Sequence, residues 1–165
     1  MRKRYDLYFA GPLFTMAETN FNNEVISALR ELGLAVCNPM EIADEIIGES
    51  LSNNKTGSWQ PLVRQENLKA ITQSKCVVAV IDGPTVDDGT AYECGYAAAL
   101  NIPVIGLRTD FRTAGNEGIV NLMIGEGVRM VEYAYSRHSD FEFLICRLYE
   151  AIEDVFADRP AGAER

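Results

Sequence analysis

Six consecutive apolar residues, Cys76-Val-Val-Ala-Val-Ile81, closed at once by Asp82-Gly83-Pro84, set the firmest limit on what this chain can fold into. A strand without polar alternation is covered on both faces, and the Gly-Pro pair ends it. Tyr5 to Ala10 before Gly11-Pro12 has the same form, as do the shorter runs Leu34 to Cys37 and Pro103 to Leu107. Helical periodicity fills the intervals. Phe21, Val25, Ala28, Leu29 and Leu32 share one face and stop at Gly33. Further helices are expected over 62–74, from Thr90 to about Leu100 and near 117–124, with a weak strand near 128–132. A last helix carries Phe141, Leu144, Ile145, Leu148, Ile152 and Val155 on one face. Buried strands alternating with helices imply an α/β fold: a single-domain doubly wound parallel sheet, flavodoxin-like or Rossmann-like, of about five strands with helices on both faces. The domain is expected to span 1–159, with 160–165 a frayed polar tail. Such folds bind ligands beyond the carboxyl ends of their strands. That selects the loops at 11–16, 38–60, 82–90 and 107–118.

Charge and cysteine content narrow the function. A net charge of −9 over 165 residues repels phosphate backbones, so nucleic acid is not an expected partner. Four cysteines and one histidine, with no C-x-x-C pair, give no metal-ligand spacing. Cys76 and Cys146 read as small core residues. No apolar stretch has the form of a signal peptide or a membrane span, which points to a cytoplasmic, reduced protein with no membrane partner. Residues 48–61 are rich in small polar side chains and read as a mobile loop. Trp59 within it either pins the loop to the core or forms part of a lid over an aromatic ligand.

The chemistry concentrates between Asp82 and Ala97, where Asp87, Asp88 and Glu93 flank the start of a helix. Two readings share this spacing. In the first, Thr90 and Glu93 form a capping box, and Asp87 and Asp88 are turn residues. In the second, Glu93 is held ionised by the helix dipole and attacks an electrophilic carbon, while a protonated Asp87 assists a leaving group. Two carboxylates divide roles in this way in retaining glycosidases. Gly89 then lets the backbone approach a ligand, and Gly95 lets the helix lie close to the sheet.

Asp87-x-Gly89-Thr90-Ala91-x-Glu93-x-Gly95-x-Ala97 resembles the signature of the nucleoside 2-deoxyribosyltransferases. Tyr8-Phe9-Ala10-Gly11-Pro12-Leu13-Phe14 resembles their first strand and loop, and Gly118-Ile-Val-Asn121-Leu122-Met123 their later Asn-Leu-Met segment. The resemblance runs in order from about residue 5 to residue 132. It implies Glu93 as nucleophile at C1′, Asp87 (with Asp88 beside it) facing the base, and Tyr8 holding the Glu93 carboxylate. It also implies Asn121 on the sugar 5′-hydroxyl, with Phe14 and the loop at Gly11 against the base. On the residues alone, Tyr8 and Phe14 read as core residues and Asn121 as a helix cap. Asn67 departs from the family, which commonly has aspartate there. Asparagine keeps the size and one acceptor but cannot ionise.

The implied reaction moves the 2-deoxyribosyl group between bases by two inversions through a covalent Glu93 intermediate, with no cofactor and no metal. Its partners are 2′-deoxynucleosides, free nucleobases and further copies of the chain in a homo-oligomer whose subunits complete each other's sites. Base salvage is the role this implies. Two other readings stand beside it. One is an N-glycoside hydrolase acting on 2′-deoxynucleosides or their 5′-monophosphates, which needs a phosphate cradle near the first loop. The other is a non-catalytic nucleotide-binding module on the same fold.

Overall fold

The computed structural model describes residues 4–52, 58–110, 112–115, 118–132 and 141–158. Five strands form one parallel sheet: β1 Tyr5–Ala10, β2 Val36–Cys37, β3 Ser74–Val80, β4 Val104–Arg108 and β5 Arg129–Glu132, in the order β2-β1-β3-β4-β5. Six helices are described: α1 Met16–Glu31, α2 Pro39–Ser52, α3 Gln60–Thr72, α4 Asp88–Ala99, α5 Leu122–Gly125 and α6 Phe141–Ala157. This is the expected doubly wound α/β sheet. Its strand order reverses between β1 and β3, which is where such sheets open a crevice.

The uninterrupted apolar strands have a simple cause. Alternate residues feed two different cores. Leu7, Phe9, Cys76, Val78 and Val80 pack with Val25, Leu29, Leu144 and Leu148 of α1 and α6. Tyr8, Ala10, Val77, Ala79 and Ile81 pack with Ala70, Ile71, Cys94 and Ala97 of α3 and α4. Tyr8 is therefore committed by register to the α3–α4 side.

Several local expectations give way. Leu32 is 48% exposed and caps α1, while Asn22 and Ile26 complete the buried face in its place. Cys146 is exposed on α6, so only Cys76 of that pair is a core residue. Residues 39–52, read as loop, are helix α2. The signals are Pro39 at the first helical position and the Asn38 carboxamide oxygen accepting from Met40 N at 3.0 Å. The polar residues there face outward, and the polar stretch from 48 includes the end of that helix. Residues 53–57 and the tail 160–165 lie outside the described residues. Of the short helix expected near 117–124, Leu122–Gly125 is helical and 118–121 are not, while 117 lies outside the described residues.

Candidate active site

Tyr8 is fully buried, and a buried hydroxyl needs a partner. It donates to Glu93 Oε1 at 2.6 Å, across 85 positions of sequence. The strand at the centre of the sheet is thus tied to the second turn of α4, at the β1/β3 switch point. Burial pushes the Glu93 carboxyl up to about 7; the Tyr8 hydrogen bond opposes this and the Asp87 charge adds to it. The expectation that the helix dipole holds Glu93 ionised is corrected here. Because α4 begins at Asp88, Glu93 sits beyond the first turn, where the dipole fades, and desolvation decides. The same burial, together with the Glu93 charge, raises the Tyr8 hydroxyl well above its ordinary value, so it remains a donor.

The cap of α4 belongs to Asp87, not Thr90. Asp87 Oδ2 accepts from Thr90 N at 2.8 Å and Thr90 Oγ1 at 3.0 Å. The Thr90–Glu93 capping box does not form, because Glu93 lies three residues further into the helix than that motif requires and is bonded to Tyr8. A Cβ at Gly89 would stand 3.2 Å from Asp87 Oδ2, so Gly89 leaves room for this carboxylate. Asp87 Oδ1 accepts no hydrogen bond among the described residues. Asp88 is the exposed first residue of α4.

The other expected site residues differ in burial and partners. Asn67 is on α3, one turn before the buried Ala70 and Ile71 and so on the face turned to the sheet. Its Oδ1 is buried and has no hydrogen-bond partner. Gly11 follows β1, and a Cβ there would meet Asn22 Nδ2 and Val80 Cγ2, each at 3.3 Å. Phe14 is 79% exposed, which removes its reading as a core residue. Trp59 is 38% exposed; its carbonyl accepts from Leu62 N and Val63 N at the start of α3.

Asn121 stands apart. Its side chain accepts from Met123 N at 3.0 Å and caps α5. It lines a cavity of about 690 Å³ together with Ala91, Cys94, Gly95, Ala98 and Ile124. At 100° per residue, Ala91, Gly95 and Ala98 lie about 140–160° around α4 from Glu93. The cavity and the Tyr8–Glu93 pair are on opposite flanks of the helix. Gly95 is exposed with open space where its Cβ would be, so it does not serve close packing on the sheet.

Two buried polar residues carry no signal that the sequence reading used. Asn22 Nδ2 donates to Pro12 O at 2.9 Å and holds the β1–α1 loop. Arg108 ends the apolar strand β4 and is 1% exposed. An arginine closing such a run is the only cue to it. Among the described residues, no cluster of three or more His, Cys, Asp or Glu is arranged to hold a metal ion.

A half-buried carboxyl pushed up to about 7, held by a phenol and within electrostatic reach of Asp87, is equipped for covalent catalysis at carbon. The comparisons identify the family. The profile described as nucleoside 2-deoxyribosyltransferase matches residues 7–128. An uncharacterised protein of Ureaplasma parvum serovar 3 is 32% identical over 126 residues, covering 68% of this chain and 75% of that protein. The structure of a 2-deoxyribosyltransferase from Bacillus psychrosaccharolyticus superposes with a TM-score of 0.61 at 26% identity, covering 84% of this chain and 94% of that one. A conserved protein from Enterococcus faecalis V583 gives 0.60 at 29% identity, covering 88% and 97%. Since the profile spans most of its length and takes in both Tyr8 and Glu93, this chain belongs to the nucleoside 2-deoxyribosyltransferase family.

Proposed function

We propose that this enzyme transfers the 2-deoxyribosyl group of 2′-deoxynucleosides from one nucleobase to another through a covalent intermediate on Glu93. The observation that carries the reading is the Tyr8–Glu93 hydrogen bond at the switch point of the sheet. The ionised Glu93 attacks C1′ as the C1′–N bond breaks and its electron pair leaves with the base. The one proton that the two carboxylates share passes to Asp87 as Glu93 ionises, and Asp87 Oδ1 delivers it to the departing base. A second base attacks C1′ from the face the first one left, the C1′–Oε bond breaks, and Asp87 recovers its proton. Two inversions retain the β configuration, and the kinetics are ping-pong. No metal or organic cofactor enters this scheme.

The neighbours take supporting roles. Tyr8 fixes the rotamer of Glu93 and stabilises its charged form. The orphaned Asn67 Oδ1 is an acceptor for an N–H of the base, and unlike aspartate it cannot ionise. Exposed Phe14 stacks on the base from the β1–α1 loop. Asn121 faces away from Glu93 within the chain, so its contact with a sugar hydroxyl is assigned to a neighbouring subunit of a homo-oligomer.

The 5′-monophosphate hydrolase is disfavoured by a specific feature. A phosphate at the β1–α1 loop needs the free amides at the start of α1. Glu18 Oε2 already accepts from Phe14 N at 3.1 Å and Thr15 N at 2.8 Å within a complete capping box. A carboxylate occupies the place and repels the anion.

Chromatography of the purified protein with 2′-deoxyinosine, with and without adenine, tests the reading. We expect 2′-deoxyadenosine to form only when adenine is present. Base release at an equal rate without acceptor would make the chain a hydrolase. No turnover of any deoxynucleoside or its 5′-phosphate would leave the binding-module reading.

A further inference from the structure

We propose that Arg108 is a positioning residue for Asp87, acting by locking the loop that carries it to the loop after β4; this rests on the acid role given to Asp87 above. The Arg108 guanidinium is buried and faces backbone carbonyls. Its Nη1 donates to Ile81 O and, at 3.1 Å, to Gly83 O, and its Nη2 donates to Arg112 O. Ile81 and Gly83 open the β3–α4 loop, and Arg112 belongs to the loop after β4. One side chain therefore spans both.

The brace is doubled by carboxylates running in each direction. Asp82 Oδ1 accepts from Thr109 N at 2.6 Å and Asp110 N at 3.1 Å, and its Oδ2 accepts from Thr109 Oγ1. Asp110 Oδ2 returns the contact by accepting from Gly83 N at 2.9 Å. The Arg112 guanidinium beside Asp110 holds that carboxyl far below the usual carboxylate range, so it stays an acceptor. Two carboxylates and two guanidiniums balance the charge of the cluster. Gly83 has φ of +93° and its Cβ would stand 3.0 Å from Thr85 O, so the loop turns sharply at the braced point.

Residues 81–83 are thus fixed through both backbone and side chain, and only Pro84, Thr85 and the buried Val86 separate them from Asp87. Asp87 is fixed at its other end by capping α4. Its free Oδ1 is aimed by the span between these anchors. Without the guanidinium, two carbonyls of the loop lose their partner and the span is released. Misplacing a catalytic group by about 1 Å can cost about a hundredfold.

The test separates aiming an acid from simple stability by varying the leaving group. The base of 7-methyl-2′-deoxyguanosine already carries a positive charge and departs without being protonated. The donor kcat/KM reports the first half-reaction. In Arg108→Lys, which keeps the charge but cannot span three carbonyls, it is expected to fall about tenfold or more for 2′-deoxyinosine. For the methylated nucleoside it is expected to change less than about threefold, and Asp87→Asn should show the same bias. Equal losses on both donors, or none on either, in Arg108→Lys would overturn the proposal while leaving the transferase intact. Absence of bias in Asp87→Asn would overturn the acid role on which it rests. A wild-type chain inactive on both donors would overturn the function itself. Thr109→Val, which removes only the side-chain donor to Asp82, should show a smaller bias of the same sign. It supplies the test if Arg108→Lys does not fold.

Discussion

At the scale of single residues, the informative contest is between burial and the hydrogen bond at Glu93. Burial raises the carboxyl to about 7, and Tyr8 limits the rise by donating to the charged form. The nucleophile has to be ionised, so for 7-methyl-2′-deoxyguanosine, whose base leaves without being protonated, kcat/KM should climb as pH rises through about 7 and level off above it. Tyr8→Phe removes the donor and should move that limb upward by about one pH unit. A pH–rate profile of the two proteins reads this directly, and a limb that stays in place would remove Tyr8 from this role. The pair also shows how the sequence can mislead. Thr90-x-x-Glu93 satisfies the spacing of a capping box, yet Asp87 takes the cap. Spacing reports which groups are able to meet, and only tertiary packing reports which do. No local pattern foretells that a phenol 85 positions earlier claims Glu93.

At the scale of elements, α4 divides its labour between a cap that stabilises and a carboxyl that does not. Asp87→Ala should lower stability by about 0.5–2 kcal/mol through loss of the cap. Glu93→Gln should behave in the opposite way as pH rises. The folded value of Glu93 lies above its ordinary 4.5, so the folded chain holds an extra proton between about 4.5 and 7. Wild-type stability therefore falls as pH rises through that window, a loss that Glu93→Gln avoids. Thermal melts at pH 5 and pH 8 should show the variant gaining on the wild type at the higher pH. A constant difference would contradict the burial of the charge. Elements built on buried periodicity were legible from residues alone: β1, β3, β4 and α6 follow their apolar runs closely. Helix α2 was not, because its last turn, from Gly48 to Ser52, is rich in small polar residues that also make loops. Its Pro39 start and Asn38 cap were the overlooked signals.

At the scale of the whole molecule, the sheet order brings β1 and the β3–α4 loop together and so makes the site from segments far apart in sequence. The signature around Glu93 singled out the segment that carries the Tyr8–Glu93 pair, because a parallel sheet places every such loop at one edge. What the sequence could not show is sidedness. Asn121 belongs to the same family pattern as Glu93, yet α4 stands between them, and only the helical angles of Ala91, Gly95 and Ala98 reveal it. Arg108 was hidden for a related reason, since its partners are backbone carbonyls that have no sequence identity.

The central claim is that Glu93 itself becomes glycosylated. Incubation with a 2-fluoro-2-deoxyribosyl nucleoside analogue, followed by peptide mass spectrometry, tests it most directly, because the fluorine slows release of the intermediate. We expect one added sugar on the peptide containing Glu93, lost when adenine is supplied. A label on another residue, or steady base release with the protein unmodified throughout, would contradict the account.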